Sequence, residues 1–336
     1  MITVENVSKS FAGKGSAVTA LRDVSLRIPA GAMYGVVGPA GSGKSTLARC
    51  VALDERPDRG TVRLDGLDTA TLQGRRLREA RRQVGVVTAR PELHNERTVA
   101  GNVAVPLEQL GLDAPQRRER VGTLLDLVGL ARGAALRPSE LTEGQRRRIA
   151  VARALATGAP VLLADDATGA IAEEETGGVL QALDRARAEL GVTVLLTTQE
   201  AGIARRVCDD LAVLERGALV ESGSLLGLLS DPTSRTAQAL LPAIETTRAQ
   251  SARYERSVDV VLVGFAAIGS LLPEAGSRFG VEVATIGGGV TRVGETPVAH
   301  FRLGLRGERS DVALAWISER GGHVTHTARG PQGVAA

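Results

Sequence analysis

Aromatic residues, cysteine and lysine are all scarce in this sequence of 336 residues, and each scarcity narrows what the chain can do. Aromatic side chains make up 2% of the residues, so the chain lacks the stacking platforms typical of single-stranded nucleic-acid binders, and we predict no nucleic-acid partner. The two cysteines, Cys50 and Cys208, lie far apart in apolar sequence without metal-ligand spacing. They are expected to be buried free thiols.

Long hydrophobic runs are absent as well. The longest nearly apolar stretch covers residues 260–272, far short of the roughly 20 residues that a membrane-spanning helix needs. The first ten residues, MITVENVSKS, lack the basic start and apolar core of a signal peptide. The sequence therefore predicts a protein without a membrane span that stays in the cytosol, and its length fits two domains.

Lysine occurs three times against 38 arginines, so the composition favours arginine wherever a positive charge is sufficient. A lysine that is present is therefore expected to have a role that arginine cannot fill. Lys44 belongs to GPAGSGKST, which fits the pattern G-x-x-x-x-G-K-[ST] between a predicted strand and a predicted helix. Backbone amides in such a loop converge on phosphate oxygens, and the lysine reaches the outer phosphates. An accidental glycine turn is the alternative. The predicted phosphate-binding residues are Gly38, Pro39, Ala40, Gly41, Ser42, Gly43, Lys44, Ser45 and Thr46.

A pair of adjacent aspartates follows an apolar run in VLLADDATGAIA, residues 161–172. Two such carboxylates, if buried without a cation, would repel each other. We predict that Asp165 and the Ser45 hydroxyl hold Mg²⁺ beside the phosphates of a nucleotide. The alternative is a pair of exposed aspartates in a helix-capping turn.

Predicted strands and helices alternate through most of the chain, which indicates an α/β domain with a largely parallel sheet. Residues 114–131 form a predicted helix because apolar residues recur there at helical spacing. Further on, the order βαββαβ, with a turn at the three glycines of residues 287–289, indicates a ferredoxin-like α+β domain. The other predicted strands of the first domain include residues 33–38, 83–88, 160–165, 192–198 and 211–215. The predicted division is a domain over 1–241, a linker over 242–257 and a small domain over 258–330.

Three further segments carry a resemblance to a known family. They are LTEGQ at residues 141–145, just before RRRIAVARALA; ERPDRGTVRLDG at residues 55–66; and Phe11. With the phosphate loop, they resemble the ATP-binding subunits of ABC transporters. The resemblance implies a P-loop NTPase fold of the ABC type, in which Phe11 stacks on adenine.

The resemblance also implies that Thr142, Gly144 and Gln145 meet the ATP of a second subunit. Each assignment has an alternative. A core residue is the alternative for Phe11, and Thr142 with Gln145 fits a capping box for the following helix. The capping box and the ATP contact can both hold, because a capped helix N-terminus is what would face a phosphate.

The segments RRQVGVV, RTVAGNVAVPLE, LLPEAGSRFGVEV and ALAWISERGG resemble the methionine-importer ATPases. This narrower resemblance implies a peripheral subunit on the cytoplasmic face of the membrane, paired in a homodimer or heterodimer below a membrane permease. A solute-binding protein delivers methionine to such importers. In them the C-terminal domain, named NIL, binds methionine and inhibits transport. A dimerisation module without a ligand is the alternative for residues 258–330.

Several positions depart from the family pattern. Lys44, Asp166 and Gln199 stand at the family's catalytic positions, but Asp166 replaces the glutamate that polarises water and Gln199 replaces a histidine. Ala89 stands where a glutamine contacts magnesium, and residues 169–172 replace Ser-Ala-Leu-Asp. In the signature segment of the family, which corresponds to LTEGQ at residues 141–145, Thr142 and Glu143 replace serine and glycine.

These departures spare the residues that bind phosphate and magnesium, so we expect binding of ATP and Mg²⁺ with weakened hydrolysis. The leading interpretation is an importer ATPase for methionine or a related amino acid. The alternatives are a regulatory subunit deficient in hydrolysis, which pairs with a competent ATPase, and a soluble ABC protein outside transport.

Overall fold

The computed structural model describes residues 1–12, 17–231, 233–246 and 253–326. Contacts divide the chain into two compact units, Met1–Gly223 and Ser224–Ala336. The predicted division at residues 241 and 258 stays a prediction, and residues 247–252 and 327–330 of the predicted linker and small domain lie outside the described residues. Within the described ranges, no helix is both long enough and apolar enough to cross a bilayer.

Two sheets organise the first unit. One has four strands in the order β2-β1-β4-β5, and the other has six in the order β10-β9-β3-β8-β7-β6. The strands are β1 (Ile2–Ala12), β2 (Ala17–Ile28), β3 (Met33–Val37), β4 (Arg59–Leu64), β5 (Leu67–Asp68), β6 (Val84–Thr88), β7 (Val161–Asp165), β8 (Thr193–Thr198), β9 (Asp210–Glu215) and β10 (Ala218–Ser224). The predicted alternation of strands and helices is confirmed.

The centre of the six-stranded sheet is parallel. β3 pairs in parallel with β8 and β9, and β7 pairs in parallel with β6 and β8. Every residue of β3 and β8 is buried, which explains why these strands are continuous apolar or threonine-rich runs rather than alternating ones. Because parallel strands end at the same edge, the loops after Val37, Asp165 and Thr198 meet there.

Helices pack against the strands of this sheet and against one another. They are α1 (Lys44–Val51), α2 (Gly74–Arg81), α3 (Val99–Gln109), α4 (Ala114–Leu127), α5 (Glu143–Leu155), α6 (Glu173–Leu190) and α7 (Ala201–Val207), with single 3₁₀ turns at Ala131–Gly133 and Pro138–Glu140. The helix predicted over 114–131 is α4, but it ends earlier than predicted, at Leu127. It begins with a capping box between Asp113 and Gln116 and buries Val121, Leu124 and Leu125 as its spacing predicts.

The second unit has the predicted βαββαβ order, preceded by α8 (Leu225–Ser230) and α9 (Arg235–Leu240). Its sheet is antiparallel in the order β12-β13-β11-β14. The elements are β11 (Arg256–Val263), α10 (Phe265–Ile268), α11 (Leu271–Phe279), β12 (Glu282–Val293), β13 (Thr296–Arg306), α12 (Ser310–Glu319) and β14 (Gly322–His326). α11 and α12 pack together, with the rings of Phe279 and Trp316 edge to face at 6.0 Å.

The turn predicted at the three glycines of residues 287–289 is wrong. β12 runs through them to Val293, and the chain turns instead between Val293 and Thr296. The pairing shifts at Gly287, and Gly288 has φ of +99°, so these glycines form a bulge. A Cβ at Gly287 would lie 2.4 Å from a methyl carbon of Thr246, which means that the glycines make room for a neighbouring segment.

That segment is residues 242–246, which were predicted to belong to a linker. His300 Nδ1 lies 2.9 Å from the carbonyl oxygen of Pro242, and Arg302 donates a hydrogen bond of 3.0 Å to Thr246 Oγ1. Tyr254 covers Gly304 in the same sheet, where a Cβ would lie 2.3 Å from its ring. Residues 242–246 and Tyr254 are therefore packed against the sheet of the small domain.

We expect Gly288→Ala to destabilise the second unit strongly, because a Cβ there would lie 1.9 Å from the His300 carbonyl oxygen as well as requiring positive φ. Backbone strain of this kind costs about 1–3 kcal/mol before the clash is added. Urea unfolding followed by the fluorescence of Trp316, the one tryptophan of the chain, reports this unit.

Gly294→Ala is the matched control, because Gly294 also has positive φ but no neighbour within 4 Å of a Cβ. Equal unfolding midpoints for the two variants would contradict the bulge.

Candidate functional site

The loop between β3 and α1 has the shape that a phosphate cradle requires. Gly38 and Gly43 both have positive φ, and a Cβ at either position would enter backbone, 2.1 Å from the Leu214 carbonyl oxygen and 2.4 Å from the Ala20 carbonyl oxygen. Gly41 also has positive φ, but its Cβ would meet open space. Close contacts therefore fix the two ends of the loop, that of Gly38 with the backbone of Leu214 and that of Gly43 with the backbone of Ala20. Lys44 is the first residue of α1, directly after the loop.

Lys44 is buried within this loop, at 8% exposure. Its Nζ donates hydrogen bonds to the carbonyl oxygens of Gly38 at 2.7 Å and Pro39 at 2.9 Å. Burial lowers the pKa of the Lys44 ammonium, and the carboxylates of Asp166 and Asp165 act in the opposite direction. The ammonium is thus held where a phosphate oxygen can replace carbonyl oxygens as its acceptor.

Asp165, the last residue of β7, accepts two hydrogen bonds on one oxygen. Ser45 Oγ donates to Asp165 Oδ1 at 3.1 Å, and Thr197 Oγ1 donates to the same atom at 2.5 Å. Thr197 is opposite Asp165 in the pairing of β7 with β8. The sheet therefore brings together the two residues that were predicted to hold magnesium, which are 120 positions apart in the chain.

Asp166 has a backbone conformation that is uncommon for a residue other than glycine, with φ of +54°. Its amide donates to the Thr197 carbonyl oxygen and to Thr197 Oγ1. Its carboxylate lies against Gly169, where a Cβ would be 2.4 Å from Oδ2. Burial and the neighbouring Asp165 raise the pKa of the Asp166 carboxyl, while Arg147 and Lys44 lower it.

Arg147 is a residue of this site that the sequence did not single out. It lies on α5, is 3% exposed, and donates a hydrogen bond of 2.9 Å to the Ala167 carbonyl oxygen, directly after the aspartate pair. Its Nε is buried without a hydrogen-bond partner. Among 38 arginines nothing in the sequence distinguishes this one, because its burial follows from the packing of α5 beneath the turn.

Phe11 lies at the end of β1, half-buried. Lys9 Nζ is 5.3 Å and Arg49 Cζ is 5.9 Å from the centre of its ring. Lys9 is anchored in turn by Glu55 at 2.7 Å and Asp58 at 3.2 Å. Because Arg49 belongs to α1, the ring is beside the helix that follows the phosphate loop, which suits the predicted adenine contact better than the core alternative.

Residues 142–145 begin α5, and the capping box expected there is present. Thr142 Oγ1 accepts from the Gln145 amide at 3.2 Å, and Gln145 Oε1 accepts from the Thr142 amide at 3.0 Å. The Gly144 amide donates instead to Glu175 on α6, at 3.1 Å. The Gln145 side chain is thus engaged in the cap, and its predicted role at an ATP of another subunit stays a prediction.

Gln199 is exposed directly after β8, at the same sheet edge as Asp165 and Asp166. Ala89 follows β6 at that edge, because its neighbour Thr88 pairs with Asp165. Ala172 is the N-cap of α6 and makes no side-chain capping bond. Gln199 and Ala89 therefore follow strands that end at the same sheet edge as Asp165.

Mg²⁺ is a hard cation that takes oxygen ligands and keeps several waters. Ser45 Oγ and Asp165 Oδ1 supply two oxygens at one point beside the phosphate loop, which fits a magnesium ion that completes its shell with phosphate and water. No cluster of three or more acidic, histidine or cysteine ligands occurs in the described part of the chain. The donor set suits magnesium that arrives with a nucleotide.

Comparison with known proteins agrees with this geometry. The profile of the ABC transporter family matches residues 21–169, and that of the NIL domain matches residues 256–326. The methionine import ATP-binding protein MetN of Myxococcus xanthus is 42% identical over 98% of this chain and 100% of its own. MetN of Thermobifida fusca is 40% identical over 95% of this chain and 98% of its own. The chain belongs to the MetN family of ABC ATPases.

A solved structure supports the fold of the first unit of this MetN-family chain. The ATP-binding cassette MJ0796, in a dimeric post-hydrolysis state bound to ADP and Pi, superimposes with a TM-score of 0.61 at 30% identity. The match covers 67% of this chain and 98% of the other. The predicted fold, an ABC-type P-loop domain followed by a ferredoxin-like NIL domain, is confirmed, and the chain is an ATP-binding ABC ATPase.

We expect Gly38→Ala in this MetN-family protein to abolish ATP binding, because the added Cβ enters the Leu214 carbonyl and displaces the loop from its helix. Gly31→Ala is the control, since Gly31 lies outside the phosphate loop, has positive φ and has no neighbour within 4 Å of a Cβ, so that only the left-handed strain remains, about 1–2 kcal/mol. Equilibrium binding of a fluorescent ATP analogue with Mg²⁺ compares the two. Equal losses of affinity would contradict the close approach as the constraint on this loop.

Proposed function

We propose that this protein is the ATP-binding subunit of an ABC importer for methionine or a related amino acid. The observation that carries the nucleotide chemistry is the meeting of Lys44, Ser45 and Asp165 at one sheet edge, with Ser45 Oγ 3.1 Å from Asp165 Oδ1. The substrate rests on relatives named as methionine import proteins that match almost the whole chain, including its C-terminal domain.

Residues 38–46 cradle the phosphates of ATP, Phe11 stacks on the adenine, and Ser45 with Asp165 holds Mg²⁺. When bound, the ion supplies charge neutralisation at the phosphates. Lys44 exchanges its carbonyl acceptors for phosphate oxygens, and its charge favours the negative transition state. Thr197 keeps Asp165 oriented through its hydroxyl while its carbonyl oxygen accepts the Asp166 amide.

Asp166 is the residue that polarises the attacking water, with Gln199 as a hydrogen-bonding partner of the terminal phosphate. The carboxylate of Asp166 is turned against Gly169 and is one methylene shorter than glutamate, so it aligns water less well. A poorly placed general base costs about 10²- to 10⁴-fold in rate. Binding of MgATP is therefore retained while turnover is reduced.

The subunit works as a dimer at the cytoplasmic face of a membrane permease, with residues 142–145 of each subunit facing the nucleotide of the other. MJ0796 is described as dimeric, and it matches the first unit of this chain. A solute-binding protein supplies the amino acid to the permease. The C-terminal domain, residues 258–330 with the preceding linker, binds methionine and regulates transport.

A second function, a regulatory subunit that scarcely hydrolyses ATP, is favoured by the state of residues 166–172. Asp166 faces Gly169, and Ala172 offers no side-chain cap or carboxylate to a neighbouring subunit. In that case the protein pairs with a competent ATPase and contributes its own signature residues to the site of the partner.

ATP turnover distinguishes the two functions. We expect the wild type to exceed a Lys44→Ala control, Asp166→Asn to fall to the level of that control, and Asp166→Glu to gain about 10-fold or more, because glutamate restores the reach of the base. Release of phosphate by the purified protein is the measurement. Wild-type turnover equal to that of Lys44→Ala, with MgATP binding intact, would favour the regulatory subunit.

Methionine binding tests the proposed role of the C-terminal domain. We expect calorimetry of the full chain to detect heat on addition of L-methionine. D-methionine is the control, because a specific site that contacts the ammonium, the carboxylate and the side chain distinguishes the two enantiomers. The absence of heat at millimolar L-methionine would favour a dimerisation module without a ligand.

A further inference from the structure

Glu175 of α6 contacts the start of α5, which we call the signature helix because it begins within the signature segment, residues 141–145. Its Oε2 accepts a hydrogen bond of 3.1 Å from the Gly144 amide. Its side chain also fills the space that a side chain at Gly144 would take, since a Cβ there would be 2.7 Å from Glu175 Cβ and 3.1 Å from its carboxyl carbon. A carboxylate of the same chain is thus in contact with the backbone at this helix end.

The Gly144 amide is one of the donors that an α-helix leaves without an intrahelical partner. Thr142 Oγ1 caps the Gln145 amide, and the carboxylate of Glu175 caps the neighbouring Gly144 amide. The positive end of the helix dipole favours an anion there. Glu175 therefore has the chemical features of a phosphate oxygen at this amide: negative charge and an acceptor at hydrogen-bond distance.

Neighbouring charges stabilise the carboxylate in this place. Arg147 and Arg148, which follow on the same helix, both feel the charge of Glu175, and burial lowers the pKa of each guanidinium. Glu143, which is paired with Arg146 at 2.9 Å, also raises the pKa of the Arg147 guanidinium, and more than Glu175 does, whereas Glu175 is the carboxylate that acts on Arg148. The carboxylate of Glu175 therefore interacts with the guanidinium groups of Arg147 and Arg148 as well as with the Gly144 amide.

We propose that Glu175 is an internal competitor of ATP: its carboxylate occupies the Gly144 amide and must leave before that amide can receive the terminal phosphate of a nucleotide on a second subunit. The inference rests on the proposed function, in which residues 142–145 face that nucleotide. Release involves one side chain in the first turn of α6, which is half-buried, and no change of fold. Glu175 then sets the ATP concentration at which two subunits associate.

The experiment measures association driven by MgATP in an Asp166→Asn background, which keeps ATP from being consumed. Light scattering across an ATP titration gives the midpoint for Glu175→Ala, Glu175→Gln and Glu174→Ala. Glu174 is the matched control, because it is exposed in the same helical turn and its replacement removes the same charge. MgATP binding and melting temperature are measured on every variant to establish that each is folded.

We expect Glu175→Ala to lower the midpoint at least ~10-fold, since a hydrogen bond to a charged group is removed from the competing state. Glu175→Gln should lie between this variant and the wild type, because its amide oxygen still accepts from Gly144 without a charge. Glu174→Ala should stay within about 2-fold of the wild type, as an exposed charge does.

An unchanged or higher midpoint for Glu175→Ala would overturn the inference and make Glu175 a structural support of the signature helix. Failure of Glu175→Ala to associate at all, with MgATP binding intact, would overturn it as well. Loss of MgATP binding by every folded variant, including the background, would instead refute the proposed function. The three results are distinguishable because binding and association are measured separately.

Discussion

The constraint on which the rest of this site depends is the double hydrogen bond to one oxygen of Asp165. Ser45 from α1 and Thr197 from β8 both donate to it, so a single carboxylate holds together a helix, the end of β7 and the neighbouring strand. This arrangement is possible because β3, β7 and β8 are parallel and end at one edge. The phosphate loop, the aspartate pair and Gln199 all derive their positions from that edge.

Asp166 cannot share this arrangement, although it is the adjacent residue. The chain turns with positive φ at Asp166, and its carboxylate is directed at Gly169 while its amide is held by Thr197. A second carboxylate beside Asp165 is unfavourable, and the nearby charges of Lys44 and Arg147 offset part of that cost. The proposed combination of retained MgATP binding and weakened hydrolysis rests on this one local geometry.

The signature helix and the aspartate turn are physically connected. Arg147 of α5 holds the Ala167 carbonyl oxygen, and Glu175 of α6 holds the Gly144 amide, so the two helices are joined on either side of the turn between β7 and α6. The first turns of α5 are therefore in direct contact with the turn that follows Asp165 and with the first turn of α6. Two nucleotide sites are concerned. One is formed by the phosphate loop of this chain, and the other, on a second subunit, is the one that residues 142–145 are proposed to complete. Glu175 connects them through its contact with Gly144.

The sequence was sufficient to predict an α/β domain with a phosphate loop, the βαββαβ order of the C-terminal domain and the meeting of Ser45 with Asp165, because these depend on local spacing or on strand ends that a parallel sheet must bring together. The ABC type of the fold followed from the resemblance of further segments to that family. The sequence did not reveal the path of residues 287–289, where glycines that resemble a turn form a bulge. Glycine is required there because residues 242–246 pack closely against the strand. The burial of Arg147, the direction of the Asp166 carboxylate and the contact of Glu175 with Gly144 are visible only in the folded chain. These depend on how helices and strands distant in the chain pack, and no local pattern encodes that packing.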